Sequence, residues 1–284
     1  MKTIKSIFLI LIIAIIAGSC DIIDEPYIEG GGSGPTPQDT MIRKVLLEDF
    51  TGFKCVNCPS ASHESHTLKD FYGDQLIIIG VHAGYYAEPD ASGNYTDDLT
   101  TTTGDALNSF FSILSYPSGM VNRREFSGNK ILSYGNWGSS IAEVLQDDII
   151  ANIEIARSWE QSTQTVSLDV CSEFFVADAN TYKLCVYLAE DSIVTWQKNN
   201  NTSIGTTPDI QNYVHMHVLR DAVNSTWGDE IVTAGASIGL KDTSNYTYNF
   251  STHPEFDVNN CTLIAFIYDS ATYEVIQVEA KHVK

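Results

Sequence analysis

Two cysteines separated by two residues, Cys55 and Cys58, are the residues of this 284-residue chain best suited to chemistry. They follow an apolar run over residues 45–50 and precede a polar segment, residues 60–72, whose composition predicts a helix. Cysteines at this spacing can close a tight disulfide at the start of a helix. The free amides and the dipole of a helix N-terminus also favour a thiolate, which lowers the pKa of a thiol placed there. The pattern therefore predicts thiol–disulfide chemistry.

A strand, a C-x-x-C pair and a helix in that order are typical of a thioredoxin-like redox site. The second part of such a site is a proline loop beside the cysteines, and Tyr116-Pro117, just before a predicted strand at residues 119–123, fits that role. Cis peptide bonds occur mostly before proline, so we expect a cis bond at Pro117. Cys55, the more exposed thiol, would attack the substrate, and Cys58 would resolve the mixed disulfide. A plain trans-proline turn and a static disulfide are the alternatives.

Residues 1–19 have the pattern of a bacterial lipoprotein signal peptide, with basic Lys2 and Lys5, an apolar run, and small residues before Cys20. We expect Cys20 to be acylated and to anchor the mature chain in a membrane, with an ordinary secretory signal as the alternative. Residues 20–40, which are rich in Gly and Pro, predict a flexible tether. Loss of residues 1–19 removes Lys2 and Lys5 and takes the formal net charge from −20 to −22. So acidic a chain excludes nucleic acid as a partner, and we expect an extracytoplasmic protein.

The hydrophobic pattern changes character near residue 148, which predicts two domains. Over residues 41–147, strand and helix signals alternate, and this order predicts an α/β thioredoxin-like domain. Over residues 148–284, short alternating segments separated by Asn, Asp, Gly and Ser predict an all-β sandwich of immunoglobulin-like type. The strands expected in this second domain lie at residues 149–159, 165–176, 182–190, 215–223, 230–238, 246–250, 262–268 and 273–280.

Two further sets of residues carry site predictions. His82 ends a predicted strand, and because strand ends commonly open onto functional clefts, we expect His82 and Tyr116 to border the redox site. A hairpin turning near residues 178–180 would place Cys171 directly opposite Cys185. Directly opposed strand residues can come close enough to bridge, so the register predicts a Cys171–Cys185 structural disulfide.

The competing interpretation of the C-x-x-C pair is a zinc site formed with His63 and His66. Those histidines follow the cysteines more closely than the ligand pairs of zinc sites usually do, so we expect neither a metal nor a cofactor. His215 and His217 share one face of a predicted strand. No third ligand accompanies them in the sequence, so we expect structural roles for both.

Five segments together are similar to a known family: residues 48–52, 55–59, 80–84, 116–123 and 213–220. They resemble the outer-membrane lipoproteins of Bacteroidetes that are named for a twenty-eight-kilodalton outer-membrane protein, and the similarity extends over nearly all of the mature chain. The resemblance implies a thioredoxin-like N-terminal domain, a β-rich C-terminal domain and a location on the outer membrane. It implies no defined activity.

Two functions fit these observations. The first is a thiol–disulfide oxidoreductase or redox-dependent chaperone whose partners are thiols of extracytoplasmic proteins. The second is a non-enzymatic surface binding module or adhesin, in which the disulfide is structural and the tyrosine-bearing loop at residues 85–95 contacts a surface ligand. Both place the chain on a membrane through its N-terminal lipid, and neither fixes an oligomeric state.

Overall fold

Thirteen strands and three α-helices make up most of residues 41–284, the part of the chain that the computed structural model describes. The predicted signal peptide, the acylated Cys20 and the tether lie outside the described residues. The helices are α1 (Cys58–Tyr72), α2 (Thr102–Phe110) and α3 (Trp137–Val144). The strands are β1 (Val45–Thr51), β2 (Leu76–His82), β3 (Ser118–Val121), β4 (Ala151–Glu160), β5 (Thr165–Phe174), β6 (Tyr182–Glu190), β7 (Ile193–Lys198), β8 (Asp209–His215), β9 (Val218–Ala222), β10 (Asp229–Val232), β11 (Lys241–Asn249), β12 (Cys261–Asp269) and β13 (Val275–His282).

An eight-stranded mixed sheet runs through most of the molecule, in the order β13-β12-β6-β9-β2-β1-β3, with β10 paired to β6. The β1–β2 and β2–β9 pairs are parallel, and the other pairs in this sheet are antiparallel. The fold is therefore mixed α/β with a β-rich C-terminal part, as expected. Strands from both sides of residue 148 share this sheet, and residues 41–284 form one compact unit. The boundary predicted at residue 148 does not separate two sheets.

The side-chain alternation of β1 explains how this sheet is covered. Val45 and Leu47 point toward a core formed with α1 and α3, whereas Leu46 and Phe50 point into a second core on the opposite face. Successive strand residues face opposite sides, so a strand that is apolar at nearly every position is buried on both. All seven residues of β2 are buried in the same way. The apolar runs that predicted these two strands thus mark the centre of the molecule.

A buried ion pair ties β1 to the turn after β3. Arg123 donates to the Glu48 carboxylate from Nε at 2.8 Å and from Nη2 at 2.7 Å. The two side chains are 0% and 1% exposed. The guanidinium carbon also lies 5.0 Å from the centroid of the Phe266 ring and 5.8 Å from that of Tyr268. This pair therefore links the N-terminal strands to β12, across the predicted domain boundary.

The second sheet has the order β11-β5-β4 and packs on the part of the large sheet formed by β6, β12 and β13. Period-two alternation is visible in β5, where Val166, Leu168 and Val170 are buried in the core between the two sheets. One face of β5 is therefore buried in the core between the two sheets.

The predicted disulfide between Cys171 and Cys185 is wrong. Cys171 lies in β5, where it pairs with Glu154 and Thr243 of the neighbouring strands. Cys185 lies in β6, opposite Phe266, and both thiols are free. The chain between β5 and β6 crosses from one sheet to the other, so these consecutive strands do not form the hairpin that the prediction requires.

The two remaining strands, β7 and β8, pair with each other and form a separate two-stranded sheet. Ile193 is opposite His215, and Lys198 is opposite Asp209. We call residues 193–215 the β7–β8 hairpin. The sequence patterns predict no strand at residues 193–198, and the hairpin lies against the C-x-x-C segment.

Candidate redox site

The C-x-x-C pair lies where the sequence places it, between a buried strand and a helix. β1 ends at Thr51, a short turn follows, and Cys55 and Cys58 are joined by a disulfide with their Cα atoms 5.4 Å apart. α1 begins at Cys58 and has Pro59 in its first turn, where a missing amide donor costs nothing. The side chain of Asn57 makes no capping hydrogen bond; the Cys58 amide donates to the Cys55 carbonyl at 3.3 Å, and the Ser60 amide donates to the Asn57 carbonyl at 3.1 Å.

Both cysteines are shielded from solvent, so the accessible first thiol expected at Cys55 is not observed. Cys55 is 2% exposed and Cys58 is 1% exposed, a difference too small to separate their reactivities. The β7–β8 hairpin contacts the segment on both sides of Cys55. The Gln197 side-chain amide donates to the carbonyl of Cys55 at 2.9 Å and to that of Gly52 at 3.4 Å. Gln197 is itself buried, at 2% exposure.

Backbone hydrogen bonds extend this contact along the C-x-x-C turn. The Lys198 amide donates to the Phe53 carbonyl at 2.8 Å, and the Asn200 amide donates to the Val56 carbonyl at 3.1 Å. The Asn200 side chain adds a 2.6 Å bond to Oδ1 of Asn57. The hairpin is therefore bonded to carbonyls on both sides of the first cysteine.

The long loop between β2 and α2 supports the hairpin from another side. The Tyr95 ring stacks on Phe53 with centroids 5.7 Å apart, and its hydroxyl donates to Asp209 of β8. Tyr95 is thus part of a small core, whereas Tyr85 and Tyr86 at the start of the loop are exposed. The tyrosines expected to bind a surface ligand therefore divide into a structural one and two accessible ones.

A cavity of about 30 Å³ lies beside Cys58, on the face of the sheet that α1 covers. The strand register builds it: Asp49 pairs with Gly80, and Thr51 pairs with His82. Gly80 also lines the cavity, and a Cβ there would lie 3.4 Å from the Met216 carbonyl oxygen. A cavity of this size holds a water molecule when it offers two or more polar partners. Its polar lining includes Asp49, Thr51, Ser62, Ser65, His66, His82, Gln197, Tyr213, His215 and His217.

Three buried side chains that line the cavity, Asp49, His82 and His215, have pKa values far from their ordinary ones. Asp49 is 5% exposed, and burial raises the pKa of its carboxyl to about 7. Burial also lowers the pKa of His215 to about 4 and holds the pKa of His82 well below its ordinary value. The two imidazole rings are 5.3 Å apart and uncharged at neutral pH. The cavity thus combines neutral histidines with a carboxyl that can hold or release a proton near neutrality.

Three buried polar atoms of this group have no hydrogen-bond partner within residues 41–284: Oδ1 of Asp49, Nδ1 of His82 and Nε2 of His215. An unpaired buried polar atom costs stability, and such atoms concentrate where a site does chemistry or holds water. His82, predicted to border the site, lines the same cavity as Cys58. No motif predicts Asp49, Gln197 or Tyr213 as site residues, and His215 is near the redox pair although a purely structural role is expected for it. The signals that point to Asp49 are its acidic side chain inside the apolar run 45–50 and its place in the family-like segment 48–52.

The proline loop has the expected cis peptide bond between Tyr116 and Pro117. Ser118, the next residue, pairs with Phe50 near the end of β1, so the loop lies at the same end of the sheet as the cysteines. The Tyr116 hydroxyl donates to Asn108, and its ring lies 6.0 Å from that of Tyr86. Tyr116 therefore borders the loop region of the site and does not line the cavity.

No group of three or more His, Cys, Asp and Glu side chains in residues 41–284 is arranged to hold a metal ion. The zinc interpretation also requires two free thiolates, and in this structure both sulfurs are in the disulfide. Of the helices that the structure describes, none is long and apolar enough to cross a membrane.

Comparisons with known structures bear on the fold. A structure described as HBP35 of Porphyromonas gingivalis matches with a TM-score of 0.64 at 17% identity, and the match covers 86% of this chain and 76% of that one. A protein of Agrobacterium tumefaciens solved in a structural genomics programme matches with a TM-score of 0.51 at 12% identity, covering 86% of this chain and 96% of that one. At these identities the likeness concerns the fold alone.

One further solved structure is similar to part of this chain. A domain of the outer membrane lipoprotein Omp28 from Porphyromonas gingivalis is 23% identical, covers 49% of this chain and 91% of its own, and has a TM-score of 0.32. Comparison with curated protein sequences gives no match. The family model described as outer membrane protein Omp28 matches residues 104–284, which is more than half of the chain and does not include Cys55 and Cys58. The resemblance and the outer-membrane location expected from the sequence are thereby confirmed: the chain belongs to the Omp28 family of outer membrane proteins.

Proposed function

We propose that this outer membrane protein catalyses thiol–disulfide exchange on proteins outside the cytoplasm, through a thioredoxin-like site formed by Cys55, Cys58 and the Pro117 loop. The disulfide at the start of α1 and the cis-proline loop at the same sheet end support a thioredoxin-like arrangement. The strands after residue 148 would then be the β-rich extension of this unit, with a sandwich-like packing of two sheets.

The observation that carries the proposal is Asp49, buried in the cavity beside Cys58. A structural disulfide needs no titratable neighbour, and a buried carboxyl without an ion-pair partner reduces stability at neutral pH. Exchange chemistry does need such a group, because a buried thiolate has to gain or lose a proton when the disulfide opens or closes. The pKa of Asp49, about 7, suits transfer in either direction at neutral pH.

In the oxidising direction, a substrate thiolate attacks Sγ of Cys55, the Cys55–Cys58 bond breaks, and Cys58 leaves as a thiolate. Asp49, protonated below its pKa, gives its proton to that sulfur. The second substrate thiol, as its thiolate, then attacks the substrate sulfur of the mixed disulfide and releases Cys55. The substrate dithiol has lost two electrons, and the Cys55–Cys58 pair has gained them. The reverse sequence reduces a substrate disulfide.

Acylation of Cys20 would hold this site at the membrane. The small residues before Cys20 and the apolar run that precedes them support a lipid anchor. The acidic body then projects from the lipid surface, where proteins with free or mispaired cysteines are the available partners. This assignment belongs to the proposal, since Cys20 lies outside the described residues.

A second candidate function, a surface binding module with a static disulfide, is favoured by a different observation. Both sulfurs are buried, which protects a structural bond. Near them, Val56 and Tyr86 are 39% exposed and Tyr85 is 73% exposed. An accessible apolar and aromatic patch of this kind is suited to protein recognition.

Two measurements on residues 20–284 separate these functions. One is the reduction potential of the Cys55–Cys58 pair against glutathione and dithiothreitol, and the other is the rate of insulin reduction. Exchange proteins have potentials from about −270 to −120 mV, whereas structural disulfides lie below about −300 mV. We expect a value in the first range, with insulin reduction abolished in Cys55→Ser and unchanged in the matched variant Cys171→Ser. A potential below about −300 mV with no insulin reduction would establish the static disulfide.

A further inference from the structure

We propose that the β7–β8 hairpin is a lid over the redox site, that Gln197 holds it closed, and that a partner thiol reaches Cys55 only after the hairpin has moved away. The inference rests on the proposed function for its biological meaning. Its physical content, that the hairpin controls access to the disulfide, stands separately and is tested separately.

The first argument is that the hairpin occupies the approach to Cys55. Attack on a disulfide requires the nucleophile to line up with the two sulfurs, and Cys55 is 2% exposed. Gln197, Lys198 and Asn200 together bond to carbonyls of residues 52–56. A partner segment that lay along residues 53–56 would compete with the hairpin for the Phe53 and Val56 carbonyls. The hairpin therefore covers the backbone on both sides of Cys55.

The second argument is that the hairpin can move without breaking a large sheet. β7 and β8 pair with each other and with none of the other described strands. Several bonds that hold the hairpin to the site go to loops, such as those between Thr195 and Asp97 and between Tyr95 and Asp209, and its contact with β2 includes the ring of His215 against that of His82. Loop contacts open at lower free energy than the central strands of a sheet.

The third argument concerns the base of the hairpin. Ser192 and His217, which flank it, have φ values of 65° and 58°, in the left-handed region that residues other than glycine rarely adopt. The chain is fixed next to Ser192, where the Asp191 amide donates to the Asn260 carbonyl at 3.0 Å, and at the carbonyl of His217 itself, which accepts from the Gly80 amide at 2.7 Å. Two unusual backbone positions next to fixed anchors are what a hinge requires, because a small change of angle there moves the whole hairpin.

The experiment compares the wild-type protein with Gln197→Ala and with Gln211→Ala. Gln211 is a matched control, because it lies on the same hairpin and is exposed. The rate at which dithiothreitol reduces the Cys55–Cys58 disulfide is measured alongside hydrogen exchange of the Lys198 and Asn200 amides. Loss of the Gln197 bonds removes about one net hydrogen bond from the closed state, so both rates should rise by the same factor, about three- to tenfold. Gln211→Ala should leave both unchanged.

Alkylation of Cys185, which is buried in the core, reports global unfolding in the same samples and should not change. Faster amide exchange in Gln197→Ala with an unchanged reduction rate would overturn the lid, because it would show that the disulfide reacts while the hairpin is closed. Equal acceleration of Cys185 alkylation would also overturn it, since the variant would then act through global stability. Insulin reduction by the wild type with no Gln197 effect contradicts the lid and leaves the proposed function standing. The Gln197 effect without insulin reduction supports the lid and contradicts the proposed function.

Discussion

Replacing Asp49 by asparagine should make the free energy of unfolding less dependent on pH. The pKa of the Asp49 carboxyl is about 7 in the folded protein, against an ordinary value of 3.8. The folded state therefore holds this proton more tightly than the unfolded state does. Stability contributed by the protonated carboxyl is complete below pH 3.8 and is lost as the pH rises toward 7. Above neutrality the wild type bears the full cost of an ionised, unpaired carboxylate.

The size of the effect follows from the shift. Each pKa unit corresponds to about 1.4 kcal/mol, so ionisation of Asp49 should cost the wild type about 4 kcal/mol between acid and neutral pH. The amide that Asp49→Asn introduces cannot ionise, so the variant does not incur that cost. His82 and His215 are the same in both proteins, and their titration largely cancels in the difference between them. The wild type should therefore lose stability steadily relative to Asp49→Asn as the pH rises.

The assay is urea unfolding with the disulfide intact, from about pH 4 to pH 8, for the wild type, Asp49→Asn and Asp148→Asn. Asp148 lies outside the cavity, in the connection between α3 and β4, and serves as the matched control. The difference between Asp49→Asn and the wild type should rise with pH, and the Asp148→Asn difference should stay flat. A constant difference for Asp49→Asn across this range would refute the protonation assignment, and with it the role of Asp49 as proton donor to Cys58.

Three further perturbations give sharp outcomes. Arg123→Met leaves Glu48 buried without its partner and should lower the free energy of unfolding by about 3–5 kcal/mol. Adding Glu48→Gln to that variant should recover much of the lost stability. If it recovers none, loss of the ion pair is not the cause of the destabilisation. In the native protein, iodoacetamide should label the partly exposed Cys171 well before the buried Cys185, because burial raises the pKa of the Cys185 thiol to about 12. Mass spectrometry of the labelled peptides gives the order of labelling. Cys20→Ala should move the protein from the membrane fraction to the soluble one, and retention in the membrane would exclude the lipid as its anchor.

Local sequence patterns predicted the strands and the helix whose burial depends mainly on neighbouring residues in the chain. The apolar run at residues 45–50 became β1 (Val45–Thr51), and the strand predicted to end at His82 became β2 (Leu76–His82). The helix expected at residues 60–72 begins two residues earlier, at Cys58, because proline suits the first turn. Parallel pairing of the first two strands then follows from the helix between them.

The sequence patterns did not predict which distant strands pair with each other. Cys171 and Cys185 satisfy hairpin spacing, yet their strands belong to different sheets, since β6 pairs with β12 and β9 instead of β5. Spacing can suggest a hairpin, but the partner of a strand is chosen by burial over the whole fold. The same reason explains why strands from both sides of residue 148 share one sheet. A change of hydrophobic periodicity indicates the local type of element, but it does not indicate which sheet a strand joins.

The β7–β8 hairpin is the part of the site that sequence reasoning missed most completely, although local signals were present. Ile193 to Trp196 contains three β-branched residues and an aromatic one, and three asparagines follow at residues 199–201. Those features are typical of a strand and a turn. What no pattern could supply is the position of this hairpin over Cys55. That placement depends on bonds from the Gln197 and Asn200 side chains to groups of Cys55 and Asn57, which lie far away in the chain.

Glu48 and Asp49 show why composition alone cannot assign a role to an acidic residue. They are adjacent in β1, so their side chains face opposite sides of the sheet. Glu48 meets Arg123 and forms a buried, bidentate ion pair, which stabilises the fold only while both partners remain. Asp49 faces the cavity beside Cys58, which no lysine or arginine lines, and its carboxyl keeps a proton to about pH 7. Which face of β1 each carboxylate occupies thus decides whether it meets Arg123 or the cavity, and exchanging the two residues should abolish both the ion pair and the proposed proton donor.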